Sequence, residues 1–577
     1  MVWSKKGLLF FLFSLLLVCS FAAAKEVVII NSKDWKDVYS GMMYGGFAGK
    51  APRFLESEPH STIILNAIPK EDSITILSSR KRPFVFGYES TIKNRGYQDV
   101  EERQFDSLSL ELAKDLEDIN NFIITDYSYG YNSIAVAPYA AISKSYVLFA
   151  DKTNIVEIEN FLDERQPEEL LIYGHVDREV TGALEKFEPE IINIDGDRFA
   201  NNVEIVKKYV EKKPVGQVLM SNGEFIEASL MSGEYPTLFI GRNNVPDKVK
   251  EYVTNSDINT GVLIGNDLVG TATIVRRELG IATFVKFARS ARAPQGSIAQ
   301  VEHLDIFEVP KISLSLNVSA VRYNKITRQV EITYRNNADV VTYFKGSYTL
   351  IEGDNEQSFG DLEPVFIAAN SFKTVVYDVE PLLADEAELD YYTIYGESKN
   401  SLEFVLDGVI GVSTIEIQDD TKIQYDNVYY DKLKERFVVI IENIGKKKVY
   451  VDTEIIDIII QGERITLSSE GVISIEPGKK GKAYLPVEMD EEDIEDNPTI
   501  TVRSYYGERE NALVKIIEGR FDLVIKEATL LTYLLTALII ILVILVLITL
   551  TKKKCPNCGH KNLRNRKKCK KCGVSLK

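Results

Sequence analysis

Four cysteines near the C-terminus have the types and spacing for metal chemistry. Cys555-Pro556-Asn557-Cys558 and Cys569-Lys570-Lys571-Cys572 are two CxxC pairs separated by ten residues. Each pair forms a knuckle whose backbone amides face the sulfurs, and Gly559 and Gly573, directly after the pairs, accommodate the turns. Four thiolates at this spacing close a tetrahedron around Zn²⁺ at Zn–S distances of about 2.3 Å. A tail of about 23 residues cannot bury a core, so the metal supplies its folding energy. With all four positions filled by protein, none is left open for catalysis. One structural Zn²⁺ is the expected cofactor; an iron–sulfur site and a redox dithiol pair are the alternatives. His560 is adjacent but surplus.

What positions this tail is the stretch before it. Ala528 to Thr551 is 24 residues without a charge, and at about 1.5 Å per residue it would reach roughly 36 Å, enough for a hydrocarbon core of about 30 Å. The sequence therefore predicts a transmembrane helix over 528–551. Residues 552–577 hold eleven Lys or Arg and no Asp or Glu, which marks a cytoplasmic side. At the other end Lys5 and Lys6 precede the apolar run Gly7–Phe21 and the small residues Ala22–Ala24, the pattern of a signal peptide over 1–24. The expected protein is a single-pass cell-membrane protein, with an extracellular N-terminal region and a cytoplasmic tail.

The net charge of -17 is unevenly spread: residues 25–551 carry -30. So acidic a region excludes nucleic acid and anionic lipid as its partners. The fifth cysteine, Cys19, lies in the signal, so this region has no disulfide and must be held by ordinary cores. Four histidines in the whole chain leave little room for histidine-based catalysis. There is no nucleophile–His pairing, no histidine metal cluster and no GxGxxG.

Residues 27–300 repeat with a period of about 90–95; Ile29, Ile124 and Leu219 stand 95 apart. Each copy opens with an apolar strand (Val27–Ile30, Phe122–Thr125, Gln217–Met220), followed by a helical segment rich in small residues. A second strand comes next (Ala51–Leu55, Ser145–Ala150, Pro236–Ile240), then an amphipathic helix, clearest over Asn154–Leu162 and Val245–Val253. A third strand ends at glycine (Phe84–Gly87, Leu170–Gly174, Gly261–Gly265). Continuous apolar strands alternating with helices predict parallel sheets with right-handed crossovers, hence three βαβαβ, Rossmann-like repeats over 25–118, 119–213 and 214–308.

In the middle copy Gly174 is followed about 20 residues later by Ile194-Asp195-Gly196-Asp197-Arg198-Phe199, ahead of a predicted helix over Asn202–Val210. In the third, Glu227-Ala228-Ser229 and Tyr235-Pro236-Thr237-Leu238-Phe239 occupy related places. These motifs, recurring in three copies, resemble the cell wall-binding repeat type 2 domains of prokaryotic surface proteins. The chain departs from that family at Asn201-Asn202; its first copy keeps only Arg103-Gln104-Phe105, and its third has Arg289 without an obvious partner. The resemblance implies three modules packed around a pseudo-threefold axis, binding a wall polymer without catalysis. Asp195 and Arg198 are the candidate ligand clamp, or else an inter-module structural pair.

From Lys311 to Lys526 the pattern becomes alternating, with turns every 8–12 residues. Tyr395-Gly396-Glu397, Asn400, Leu402 and Gly408 recur 111 residues later as Tyr506-Gly507-Glu508, Asn511, Leu513 and Gly519. Two Ig-like sandwiches are expected, over 311–415 and 416–526, with each late glycine in a hairpin. They would form a stalk. The acidic run Asp490–Asp496 invites Ca²⁺ but lacks the glycine and alternating ligands of a dedicated loop. Asn317-Val318-Ser319 is a glycosylation sequon.

The two CxxC knuckles of residues 552–577 resemble the short zinc-ribbon modules of many prokaryotic membrane proteins. The whole chain thus reads as a multidomain, non-enzymatic cell-surface protein of archaeal style, acting in envelope organisation or adhesion. A surface polymer or an envelope protein is the expected partner of the head. The alternative is a transmembrane receptor or assembly scaffold that recruits a cytosolic protein through the ribbon. The basic tail could also touch anionic lipid or nucleic acid; nucleic acid is the less expected partner.

Overall fold

The computed structural model describes residues 25–286, 305–383, 386–527, 538–544, 546, 552–564 and 566–576. The expected signal peptide, Cys19 and Arg289 lie outside them. The described chain forms two compact units, 1–418 and 419–577.

The first unit opens with three α/β modules. Each has a four-stranded parallel sheet in the order second–first–third–fourth. The first module's strands are Glu26–Asn31, Ala51–Phe54, Ser73–Ser79 and Val100–Phe105; the second's are Asn121–Asp126, Ser145–Ala150, Glu169–Tyr173 and Glu190–Ile192; the third's are Gln217–Ser221, Thr237–Phe239, Thr260–Ile264 and Ala282–Lys286. Val28, Ile29, Ile30, Ile124, Val147, Met220 and Leu263 are fully or almost fully buried, as continuous apolar strands covered on both faces must be.

Two expectations are corrected here. Each module has four strands and not three, because the fourth runs along the sheet edge and carries too short or too polar a run to declare itself: Val100-Glu101-Glu102-Arg103-Gln104-Phe105 is buried only at its two ends. In the first module Phe84–Gly87 is a loop, and Ser73–Ser79 is the third strand. That loop is held by Asn31, fully buried, whose Nδ2 donates to Ser78 Oγ (3.0 Å) and Val85 O (2.7 Å) and whose Oδ1 accepts from the amides of Phe84 (2.9 Å) and Val85 (3.0 Å).

The first helices of the modules, Trp35–Phe47, Tyr131–Ser143 and Ala228–Met231, touch one another pairwise. One hydrophobic core runs through all three modules and takes in Val309. Tyr39 donates to Ser133 O (2.7 Å) across the first interface; across the second, Tyr209 donates to Gly233 O (2.9 Å). Asn202, fully buried on the helix Arg198–Lys212, gives Nδ2 to Thr237 O and takes the Phe239 amide on Oδ1 (2.9 and 2.7 Å). It satisfies an edge strand that apolar residues could not.

A sandwich follows within the same unit. One sheet is built from Phe372–Asp378, Gln329–Asn336, Leu316–Asn324 and Ser413–Ile415, the other from Asn355–Gly360, Thr342–Glu352, Glu388–Gly396 and Leu402–Gly411, with Val365–Ile367 alongside. The second unit repeats this topology strand for strand, from Ile423–Asp431 to Ile525–Lys526. Gly408 and Gly519 lie inside strands and not in hairpins. A Cβ on Gly408 would meet Tyr391 Oη at 2.9 Å, and one on Gly519 would meet the Phe521 ring at 2.9 Å; these glycines make room for aromatic rings. The acidic run forms a short helix, Glu491–Asp496, closed by a capping box between Asp490 and Asp493. Asp493 also accepts from the Gln461 amide at 2.7 Å, so it serves the fold. Asn317 is exposed on the strand Leu316–Asn324.

The expected transmembrane helix is not supported, and with it falls the single-pass cell-membrane placement. Among the described residues no helix is long and apolar enough to cross a membrane. Of 528–551, the described helical residues are 538–544 and 546. The rest of the stretch lies outside the described residues.

Candidate functional site

In a parallel sheet the carboxyl ends of the strands are where loops and helix N-termini converge on a ligand. Each module's carboxyl end faces the segment after the second strand of the next module, so the three modules create three related clefts.

The cleft between the second and third modules is filled by the sandwich loop Glu397–Glu403. Asp197 caps the helix Arg198–Lys212, accepting from the amides of Phe199 (2.9 Å) and Ala200 (3.3 Å), and the Ser401 hydroxyl donates to the same oxygen at 2.9 Å. Arg198, at the first helical position, is 8% exposed. Its Nε lies 3.1 Å from Glu397 Oε1, its Nη2 bonds Glu403 Oε1, and its guanidinium stacks 4.2 Å from the Tyr131 ring centre. Burial pushes the Glu403 carboxyl up to about 7, against the pull of Arg198. From the third module Asn244 Nδ2 donates to Leu402 O at 2.7 Å. Gly241 lies so close that a Cβ would stand 2.4 Å from Glu403 O.

The cleft between the third and first modules is filled by the strap Asp305–Val309. Phe307–Glu308 pairs antiparallel with Phe225–Ile226, and the Val309 amide donates to Glu224 O at 3.0 Å. Phe307 packs edge-on against Phe54 and Phe84. His60 accepts the Glu56 amide on Nδ1 and presents Nε2 to Asp305 Oδ1, each at 3.2 Å; Glu56 Oε1 accepts from the Ile306 amide at 2.6 Å. Glu56, His60 and Asp305 lie close enough together to hold an ion. With Nδ1 accepting from the Glu56 amide, a neutral ring carries its proton on Nε2, which suits the carboxylate better than a metal.

The cleft between the first and second modules is open, with a volume of about 650 Å³. Its walls are the ends of the first module's third and fourth strands, Ser79–Arg82 and Gln104–Ser107, together with Asp34, Lys36 and Asp37. The second module contributes Tyr127, Phe149 and Asn154. The Asn31 clamp and the bond from the Arg80 amide to Phe105 O (2.7 Å) hold the cationic loop in place. Arg80 pairs with Asp106 at 2.8 Å, and Lys36 lies 4.1 Å from the Tyr127 ring centre. Lys81 and Arg82 are exposed and, among the described residues, have no carboxylate partner. Burial raises the Asp37 carboxyl, but its oxygens are committed to Ser32 Oγ (2.7 Å) and the Leu108 amide (3.0 Å). It is a structural cap and not a free acid.

In the tail the four cysteines come together with their ligand atoms within 4.8 Å of one another. Cys555 and Cys572 sulfurs are 3.5 Å apart, Cys558 and Cys569 sulfurs 3.6 Å. The knuckles match: Gly559 N donates to Cys555 O at 2.9 Å with φ 69°, and Gly573 N to Cys569 O at 3.0 Å with φ 71°. Although burial opposes it, hydrogen bonds from the Cys572 and Lys571 amides and Asn562 bring the Cys569 thiol down to about 5. Such a set of four sulfurs can hold a metal ion such as zinc.

Asp195 and Arg198 do not form a clamp. Asp195 is exposed in a left-handed turn at φ 50°, while Arg198 turns inward to Glu397 and Glu403. The pairing is structural, with partners in the sandwich. Arg103 is not its counterpart: it lies on the fourth strand of its module and pairs with Asp115 at 2.6 Å, while Leu108 takes the first helical position. The loop Arg80-Lys81-Arg82 was missed because its chemistry appears only when the chain is folded; three adjacent cations before Pro83 were the available signal.

No known protein family matches the chain, and no curated protein does. Among solved structures the chain is similar to Cwp8 from Clostridium difficile, at 16% identity over 45% of this chain and 48% of that one, with a TM-score of 0.34. It is also similar to Cwp6 from Clostridium difficile, at 14% identity over 46% of this chain and 42% of that one, with a TM-score of 0.35. The matches span less than half of either protein.

Proposed function

We propose that the protein is a non-enzymatic binding scaffold of the cell envelope. Its three-module head engages a surface polymer or a neighbouring envelope protein, and the first sandwich seats a loop in that head. The observation that carries this reading is the open cleft of about 650 Å³ on a head whose core is continuous across three modules. A recess already formed on a packed core binds without a cost of ordering itself. The acidic, cysteine-free sequence between residues 25 and 554 suits an envelope surface.

In the tail, Cys555, Cys558, Cys569 and Cys572 would hold one structural Zn²⁺, which cross-links two knuckles too small to bury a core. Sulfur separations of 3.5 and 3.6 Å fit the edges of such a tetrahedron, about 3.8 Å for Zn–S bonds of about 2.3 Å.

The test is binding of the purified full-length chain to isolated cell envelopes and to polymer extracted from them. Saturable binding to either is the expected result. Failure to bind both overturns the reading.

A further inference from the structure

The three clefts are repeats of one another, and two of them are already occupied. Both occupants are polypeptide. Each is held through its main chain: Leu402 O takes the Asn244 side-chain amide, and Phe307–Glu308 adds a short strand to Phe225–Ile226. Each also brings a carboxylate to a nitrogen base on the cleft wall, Glu397 and Glu403 to Arg198, and Asp305 to His60. The open cleft lies at the corresponding place between the first and second modules, with its cations on the loop after the third strand. It has an aromatic floor of Phe105, Tyr127 and Phe149, and at its mouth Lys81 and Arg82 present two exposed cations. Asn154 lies four residues beyond the end of the second strand, where Asn244 lies five beyond it in the filled cleft, but its side chain closes its own turn: Nδ2 donates to Phe149 O and Oδ1 accepts from the Asp151 amide, each at 2.9 Å. Of the acids lining the cleft, Asp106 is paired to Arg80, Asp34 caps its helix and pairs with Lys36 at 3.4 Å, Asp37 caps Leu108 and Glu111 pairs with Lys114 at 3.2 Å; Glu157, on the second module's wall, is exposed and without a cationic partner among the described residues.

We propose that this third cleft receives an acidic loop from a partner protein, seated as the chain's own loop Glu397–Glu403 is seated in the second. The proposal rests on the reading of the head as a binding scaffold and names the partner class. Two repeats built to hold peptide by its main chain make a peptide-shaped recess, and the unpaired cations select carboxylates at its mouth. No covalent step is involved.

The probe is a library of disulfide-constrained loop peptides, panned on the intact chain. Loops carrying two or more Asp or Glu should be enriched. Their dissociation constants should rise at least tenfold on the Lys81→Glu/Arg82→Glu double variant, whose changes are exposed and leave the fold's circular dichroism and thermal midpoint unchanged. Carbodiimide coupling of a bound loop should map to Lys36 or Lys81. Three results would overturn the proposal: enrichment without acidic residues, affinity indifferent to the double variant, or a soluble anionic polysaccharide (polygalacturonate) binding at these lysines while the peptides do not. Envelope binding is read separately. If it persists while the peptide arm fails, the partner class is wrong and the scaffold reading stands.

Discussion

Arg198 on the second α/β module and Glu403 on the sandwich are 205 residues apart and joined by a buried ion pair. Removing Arg198 leaves the Glu403 carboxyl buried without its cation, a loss of about 3–5 kcal/mol. Arg198→Ala is therefore expected to lower the stability of the first unit by that order in chemical unfolding. The triple variant Arg198→Met/Glu397→Gln/Glu403→Leu, which removes the charges together, should recover most of it. Equal losses in the single and triple variants would rule out charge burial as the cause.

The same carboxyl sets a pH dependence. Glu403 sits near 7 when folded, from an ordinary value of 4.5, so between those values the folded chain holds a proton that the unfolded chain has released. Stability from this group is therefore fully present below about 4.5 and is lost as pH rises toward 7, by an amount of order 1–3 kcal/mol. Glu403→Gln should flatten that part of the profile. An unchanged slope in the variant would assign the dependence to another group.

Asn31 spends both side-chain atoms on the loop that carries the cleft's cations. Asn31→Ala strands the Phe84 and Val85 amides and should cost about 1–3 kcal/mol. Hydrogen exchange should speed up first over residues 80–86, ahead of the sheet. Uniform acceleration across the module would contradict a local clamp.

Gly241 is packed against main chain from both sides: a Cβ would meet Glu403 O at 2.4 Å and Asn244 O at 2.6 Å. Gly241→Ala should cost about 1–3 kcal/mol by overpacking and expose the loop Ser398–Glu403 to limited proteolysis. A variant as resistant as the parent would mean that the sandwich loop can shift without leaving the cleft.

For the tail, the purified chain should carry close to one zinc per molecule, and Cys569→Ser should lower that ratio sharply. A chelator should abolish exchange protection at the Gly559 and Gly573 amides while leaving the sandwiches' circular dichroism unchanged. Retained protection in metal-free protein would show that the knuckles fold by themselves.

Much of this architecture was legible in the residues. The spacing of Ile29, Ile124 and Leu219 located the first strand of every module, and the apolar runs at Ser145–Ala150 and Leu170–Gly174 matched the observed strands to within a residue. The repeated Tyr-Gly-Glu element marked two sandwiches of one topology, and the two CxxC pairs located the sulfur cluster. What escaped was set by distant or partial burial. The fourth strands sit at sheet edges and need no continuous apolar run. Arg198 finds its carboxylates 199 and 205 positions further along, a distance no local motif encodes. The reading of 528–551 as a membrane span rested on the length of an uncharged run, and among the described residues no helix is long and apolar enough to bear it out.

Because the first helices of the modules meet pairwise, each module has both neighbours already assigned. An open solenoid can gain or lose a unit at its ends; a closed trio has no end at which to do so. Duplication of a single α/β module would open the shared core, whereas an extra sandwich could be added in series. Length variation among relatives of this chain should therefore fall in the number of sandwiches, with the modules held at three.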